Sequence, residues 1–180
     1  MTAIAAVVDG GKVYIGGDSC VTEGGSHDVF TRVHPKVWVN DNFIFGTCGS
    51  VRTGQIVRYR LALPLRDPKI DLDKYICIYV SDAIRSVLDS SGAKLIRSDK
   101  LEYQDGMFLI GSEGRLWRMW GDFSTQEIDI GYDAIGSGGP FALGALSVTI
   151  APPDERIKIA LTAAEKFNAG VRGPFTVLSL

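Results

Sequence analysis

The stretch Thr2-Ala3-Ile4-Ala5-Ala6-Val7-Val8-Asp9-Gly10-Gly11-Lys12-Val13-Tyr14-Ile15-Gly16-Gly17-Asp18 decides how the rest of the chain is read. Ala3 to Val8 is small and β-branched, Asp9-Gly10-Gly11 is a turn, and Lys12 to Gly16 resumes an apolar run, which together predict a β-hairpin. A threonine stands immediately before the first strand, and Gly17-Asp18-Ser19 follows the second. Both polar groups therefore sit at strand ends, where a site can form.

Working outward, Lys36 to Val39 and Phe43 to Thr47 flank Asn40-Asp41-Asn42 and predict a second hairpin. Ser50 to Leu63 turns helical, with Val51, Ile56, Val57 and Leu61 on one face and Pro64 and Pro68 beyond it. Asp71 is the expected N-cap of a helix from Leu72 to Leu88, whose Tyr75, Ile76, Tyr79, Val80, Ala83, Ile84 and Val87 recur at the 3.6 period. Met107 to Gly111 and Arg115 to Trp120 predict a strand pair around Ser112-Glu113-Gly114, with Glu127 to Ile130 as an edge strand. Two further helices are expected, one from near Gly139 and one over residues 154–168, before a last strand from Phe175 to Leu180. Strands, two helices, strands, two helices and a strand indicate an α+β domain rather than alternating βαβ units. No repeat or low-complexity segment interrupts it.

The 180 residues, 46% hydrophobic and 22% charged, suit a single domain over residues 1–180. Nineteen Lys and Arg against 21 Asp and Glu leave a formal charge of -2, with no cationic excess for a nucleic-acid backbone or an anionic membrane. No apolar run reaches the ~18 residues of a membrane span, and no signal-peptide pattern is present, so a cytoplasmic location is expected. Three widely spaced cysteines (Cys20, Cys48, Cys77) and two histidines (His27, His34) argue against a disulfide framework and a structural zinc site.

Thr2 is a weak signal alone. A threonine hydroxyl is a poor nucleophile, but once Met1 is removed the residue's own α-amine, of ordinary pKa ~7.7–8.0, can take its proton. That chemistry also needs a cation to hold the amine neutral, a carboxylate to hold the cation, and backbone N–H groups for the oxyanion. Lys36 and Asp18 are residues of the required types, each at a strand end.

Thr2 before a strand, Gly17-Asp18-Ser19 with Thr22, Lys36-Val37, Phe45-Gly46-Thr47-Cys48-Gly49-Ser50, and Ala134-Ile135-Gly136-Ser137-Gly138-Gly139-Pro140 together resemble the catalytic β subunits of the proteasome, above all the bacterial HslV-like members. The resemblance spans nearly the whole chain, with the middle, from about Pro64 to Asp105, anchored only by its helical pattern. It implies an N-terminal-nucleophile hydrolase fold: a four-layer αββα sandwich of two antiparallel sheets. It further implies a threonine-type endopeptidase subunit of a ring-shaped, self-compartmentalised protease. Hexameric or heptameric rings of the same chain, stacked, would enclose unfolded polypeptide, with an ATP-dependent unfoldase as feeder. Neither nucleic acid nor membrane is an expected partner, and no metal or organic cofactor enters the chemistry.

Carried over by residue, the resemblance makes Thr2 the nucleophile, Lys36 the adjacent cation, Asp18 its carboxylate and Ser137 a hydrogen-bond partner of the Thr2 amine. The oxyanion donor is the N–H of Gly49 or Ser50: residue type favours the first, counting from Lys36 the second. Val21 and Cys48 line the substrate pocket, with His34 and Trp38 nearby. Where the family places a supporting aspartate and serine after the last long helix, this chain has Asn168 and Val171, so only Asn168 keeps a hydrogen-bonding side chain there. Two other readings stand beside this one: a catalytically silent ring or structural protein that retains Met1, and an amidohydrolase for small amides on the same fold.

The same residues have plainer readings. Asp18 fits a turn and Lys36 a solvated strand edge. Gly136-Ser137-Gly138-Gly139 lacks the GxxxxGK[ST] pattern and βαβ context of a phosphate loop, and its glycines suit a tight turn. Cys20 and Cys48 adjoin apolar strands as small hydrophobes. Trp117, Met119 and Trp120 read as core or subunit-contact residues rather than a ligand cage. No carboxylate pair has the spacing of a glycosidase.

Overall fold

A computed structural model describes residues 1–22, 29–31, 34–96 and 101–180. The polar stretch Glu23 to His27 lies outside them. The opening hairpin forms as expected, β1 (Ile4–Asp9) pairing with β2 (Lys12–Gly17). The short β3 (Cys20–Thr22) and β4 (Val29–Thr31) pair with each other, and β5 (Val37–Asn40) and β6 (Phe43–Gly49) form the second predicted hairpin.

Helix α1 (Val51–Arg60) is capped by Ser50, whose hydroxyl accepts the Thr53 N–H. It ends at Arg60, short of the predicted Leu63, because Leu61 is already extended. Asp71 caps the next helix by accepting the N–H groups of Asp73 and Lys74. This second helix is not uniform: α2 (Leu72–Lys74) passes through a π-helical segment (Tyr75–Val80) into α3 (Ser81–Ser90). A single apolar period cannot reveal such a change in winding.

The chain continues through β7 (Leu95–Ile96), β8 (Glu102–Tyr103), β9 (Gly106–Ser112), β10 (Arg115–Met119) and β11 (Thr125–Glu127). The edge strand thus lies earlier than the predicted Glu127 to Ile130, because residues 129–130 turn the chain. Next is β12 (Tyr132–Ile135), which local pattern does not announce: it is short, carries Asp133, and exists by pairing along β1, with Ile4 opposite Ile135. Helices α4 (Gly139–Val148) and α5 (Pro153–Phe167) precede β13 (Thr176–Ser179).

Among the described residues the two larger sheets, both antiparallel, have the orders β12-β1-β2-β13 and β11-β10-β9-β6-β5, beside the two-stranded pairs β3-β4 and β7-β8. The two larger sheets stack between helical layers as an αββα sandwich. The alternation along β1 assigns its two faces. Ala3, Ala5 and Val7 pack with Leu146, Ile157 and Leu161 of α4 and α5. Ile4 and Ala6 face the other sheet, with Val37, Ile44 and Leu109. Burial on both faces explains why β1 reads as a continuous apolar run. The sheets approach so closely that a Cβ on Gly46 would lie 2.5 Å from Ile4 Cγ2 and 2.9 Å from Ile15 Cγ2.

The outer face of the second sheet, with Phe45, Phe108 and Trp117, packs on Val57, Ile76, Ile84 and Leu88 of the helices. Trp117 is fully buried and belongs to this core, where truncation to alanine costs about 3–5 kcal/mol. Among the described residues, no helix is long and apolar enough to cross a membrane.

Candidate active site

Hairpin register puts the start of β1 beside the end of β2. Ile4 lies opposite Gly17, so Thr2 and Asp18 occupy the same edge of the sheet. The Asp18 N–H donates to the Ala3 carbonyl at 3.2 Å, and the Ala3 N–H returns to Asp18 Oδ1 at 2.9 Å. The Cys20 N–H fixes Oδ2 at 2.9 Å. These backbone donors orient the carboxylate.

Lys36, just before β5, completes the arrangement. Its Nζ lies 2.8 Å from Asp18 Oδ1, 2.8 Å from Thr2 Oγ1 and 3.2 Å from the Met1 carbonyl oxygen. The Lys36 and Asp18 side chains are 3% and 0% exposed. A buried ammonium is tolerable only with a hydrogen-bonded anion beside it, and Asp18 supplies one.

Ser137 arrives from the opposite side, after β12. Its Oγ accepts the Thr2 N–H at 3.2 Å, and the Gly138 N–H donates to the Thr2 carbonyl at 3.0 Å. Gly136, at φ 92°, permits this approach, since a Cβ there would sit 2.3 Å from the Thr2 carbonyl oxygen. β12 is held by Arg118 of β10, which pairs with both oxygens of Asp133 and donates to the Ala134 carbonyl at 2.8 Å. Burial raises the Asp133 carboxyl above its ordinary pKa, and the Arg118 guanidinium opposes that shift.

The structure therefore brings together Thr2, Asp18, Lys36 and Ser137, which are separated by up to 135 residues in sequence, with Lys36 at the Thr2 hydroxyl, Asp18 on Lys36 and Ser137 at the Thr2 nitrogen. Of the two oxyanion candidates, Ser50 has its N–H taken by the Asp105 carbonyl at 2.8 Å. Gly49, at φ 96°, lines the cleft beside Thr2. Val21 and Cys48 also line that cleft, as do His34 and Trp38. Burial pushes the Cys48 thiol up to about 11 and raises that of Cys20 as well, which suits apolar wall residues rather than nucleophiles.

Asn168 is not brought to Thr2 by its side chain: Oδ1 accepts the Gly170 N–H at 3.0 Å and closes the turn after α5. Val171 is fully buried against Ala3 and Gly138, an apolar prop rather than a hydrogen-bonding side chain.

Met1 occupies the mouth of the cleft. Its amine donates to Thr22 Oγ1 at 3.1 Å, its carbonyl accepts from Thr2 Oγ1 at 2.6 Å, and its side chain lies on Gly170. Thr22, Gly170, Arg58 and Tyr59 were not legible as site residues, because no local pattern ties them to position 2. With Met1 attached, the Thr2 nitrogen is an amide and cannot act as a base.

No protein-family model matches the chain. Solved structures with similar folds include Thiobacillus denitrificans BPH in complex with epoxomicin, with a TM-score of 0.82 at 20% identity over 99% of this chain and 98% of that one. Eukaryotic HslV from Trypanosoma brucei gives 0.69 at 20% identity, covering 99% of both chains. Anbu, an ancestral beta-subunit from Yersinia bercovieri, gives 0.69 at 14% identity over 99% of this chain and 81% of its own. The chain shares the proteasome-subunit, N-terminal-nucleophile hydrolase fold with these proteins.

Proposed function

We propose that the protein is the threonine-type endopeptidase subunit of a self-compartmentalised protease, active after Met1 is removed. The observation that carries this reading is the single ammonium of Lys36 joining Thr2 Oγ1 and Asp18 Oδ1, each at 2.8 Å, with Ser137 at the Thr2 nitrogen. A sheet edge needs no buried lysine for stability, and a threonine nucleophile needs this one.

Loss of Met1 converts the Thr2 amide into a primary amine beside a fixed positive charge, which favours its neutral form. Thr2 Oγ attacks the peptide carbonyl carbon while its proton passes to that amine. The Gly49 N–H holds the developing oxyanion. Collapse breaks the C–N bond, the departing amine takes the proton, and an ester on Thr2 remains. The Thr2 α-amine, neutral again, then deprotonates water, which hydrolyses the ester and restores the hydroxyl. Ring assembly of this chain, with an ATP-dependent unfoldase feeding unfolded polypeptide, belongs to the same proposal and is supported by the fold it shares with HslV and BPH.

The test is intact and peptide-map mass spectrometry of the Met1-free chain after incubation with epoxomicin. An adduct on Thr2 is expected, and its absence from a verified Met1-free chain overturns the reading. A catalytically silent ring protein is the second reading, favoured by one observation: Met1 fits the cleft mouth, with hydrogen bonds at both its amine and its carbonyl.

A further inference from the structure

We propose that the cleft beside Thr2 is a subsite for an acidic side chain, so that the enzyme cleaves next to glutamate or aspartate in preference to neutral isosteres. This rests on the peptidase reading above and names its substrate class. Among the described residues that line the cleft, the ionisable side chains other than the Lys36 already engaged are Arg58, His34, Tyr59 and two cysteines, and none is a carboxylate.

Arg58 is held in place, and among the described residues most of its hydrogen-bonding capacity is unused. One Nη1–H donates to the Pro35 carbonyl at 2.9 Å, and the guanidinium carbon lies 5.4 Å from the Tyr59 ring centre and 6.0 Å from that of Trp38. Among the described residues, no acid pairs with it. A planar guanidinium with unused N–H groups is suited to bidentate recognition of a carboxylate.

A second observation is independent of that charge. Trp38 is 5% exposed, stacks on Phe45 at 5.6 Å between ring centres, and lines the same cleft. Its indole N–H is buried with no acceptor among the described residues. Buried donors without partners are rare in folded proteins, and this one belongs to a side chain of the cleft wall. The His34 ring stands edge-on to Tyr59 at 6.5 Å and adds a further donor at the mouth. Cys48, neutral with its thiol pKa near 11, sets no opposing charge against an incoming carboxylate.

The experiment uses peptide epoxyketones identical except for glutamate, glutamine or leucine beside the reactive group, applied to the full Met1-free chain. The rate of Thr2 adduct formation is read by intact mass. The glutamate probe is expected to label about tenfold or more faster than the glutamine probe. Arg58→Gln, verified as folded by its thermal transition, should bring that ratio close to one, and Arg58→Lys should restore part of it.

Labelling of Thr2 at equal rates by the glutamate and glutamine probes overturns the subsite and leaves the peptidase reading standing. If no probe labels Thr2, the peptidase reading falls, and calorimetric titration with acetyl-Ala-Ala-Glu-amide and its Gln counterpart decides the pocket. Preferential binding of the Glu peptide, lost in Arg58→Gln, upholds the acidic subsite; equal binding or none overturns it.

Discussion

Lys36 Nζ and Asp18 Oδ1 lie 2.8 Å apart, at the ends of two strands in different sheets, with both side chains almost wholly removed from solvent. The pair locks the edge of the first hairpin to the start of the second and presents the ammonium to Thr2 Oγ1.

Breaking the pair from one side should cost more than removing it altogether. Asp18→Asn leaves the ammonium unpaired and is expected to lower stability by about 3–5 kcal/mol, while Asp18→Asn with Lys36→Met should recover part of that loss. Chemical denaturation of the four forms measures the coupling. Both single variants should lose at least ~100-fold in turnover, and the double variant should stay inactive although it is more stable than Asp18→Asn.

Ser137→Ala removes the acceptor of the Thr2 N–H without disturbing the glycines that seat the Thr2 carbonyl. A loss of about tenfold in kcat/KM is expected, with a thermal transition within a few degrees of the parent. An unchanged kcat/KM in a Met1-free preparation would show that Ser137 does not orient the amine.

Gly136→Ala should be far more damaging. A Cβ 2.3 Å from the Thr2 carbonyl oxygen, on a residue at φ 92°, forces the backbone at the nucleophile to move. Strain and overpacking together should cost at least ~2 kcal/mol. The fall in midpoint denaturant concentration at constant slope reports it.

Gly170→Ala tests the seat of Met1. The new Cβ would approach the Met1 Cβ and Cε to 2.3 and 2.5 Å, so the N-terminal residue must leave its position. The variant is expected to lose Met1 faster to methionine aminopeptidase, read by intact mass over time. Once Met1 is gone, its stability should match that of the Met1-free parent.

The native thiols should be slow. A pKa of about 11 leaves Cys48 and Cys77 about one-thousandth thiolate near pH 8, against roughly a quarter for a free cysteine. Because burial raises these pKa values, reactivity should climb as pH approaches 11 rather than level off near 9. Alkylation followed by peptide mapping should show little modification of either residue at pH 8 in the native protein and full modification after denaturation.

The hairpins, the cap at Asp71, and the helices over residues 139–148 and 153–167 were legible because each is specified by neighbours within a few residues: turn types, capping side chains and apolar period. Thr2, Asp18 and Lys36 were legible as residue types at strand ends, and Ser137 through a family resemblance, but nothing local says that they meet. Their meeting depends on long-range pairing: β1 on β2, β12 on β1, and the stacking of two sheets that sets Lys36 over Asp18.

The same holds for what the sequence did not convey. β12 takes its form from the strand it joins, and the winding change at Tyr75–Val80 leaves the apolar stripe intact. That the Asp105 carbonyl holds the Ser50 N–H, on which the proposal of Gly49 as the oxyanion donor rests, has no counterpart in local sequence. Asn168 closes its own turn although the family pattern sends it toward the nucleophile. The indole of Trp38, whose N–H has no acceptor among the described residues, and the guanidinium of Arg58 come to one cleft only after β5 and α1 have packed. Local chemistry is written in the order of residues, whereas a site built from four distant segments exists only where tertiary packing brings their ends within hydrogen-bond reach.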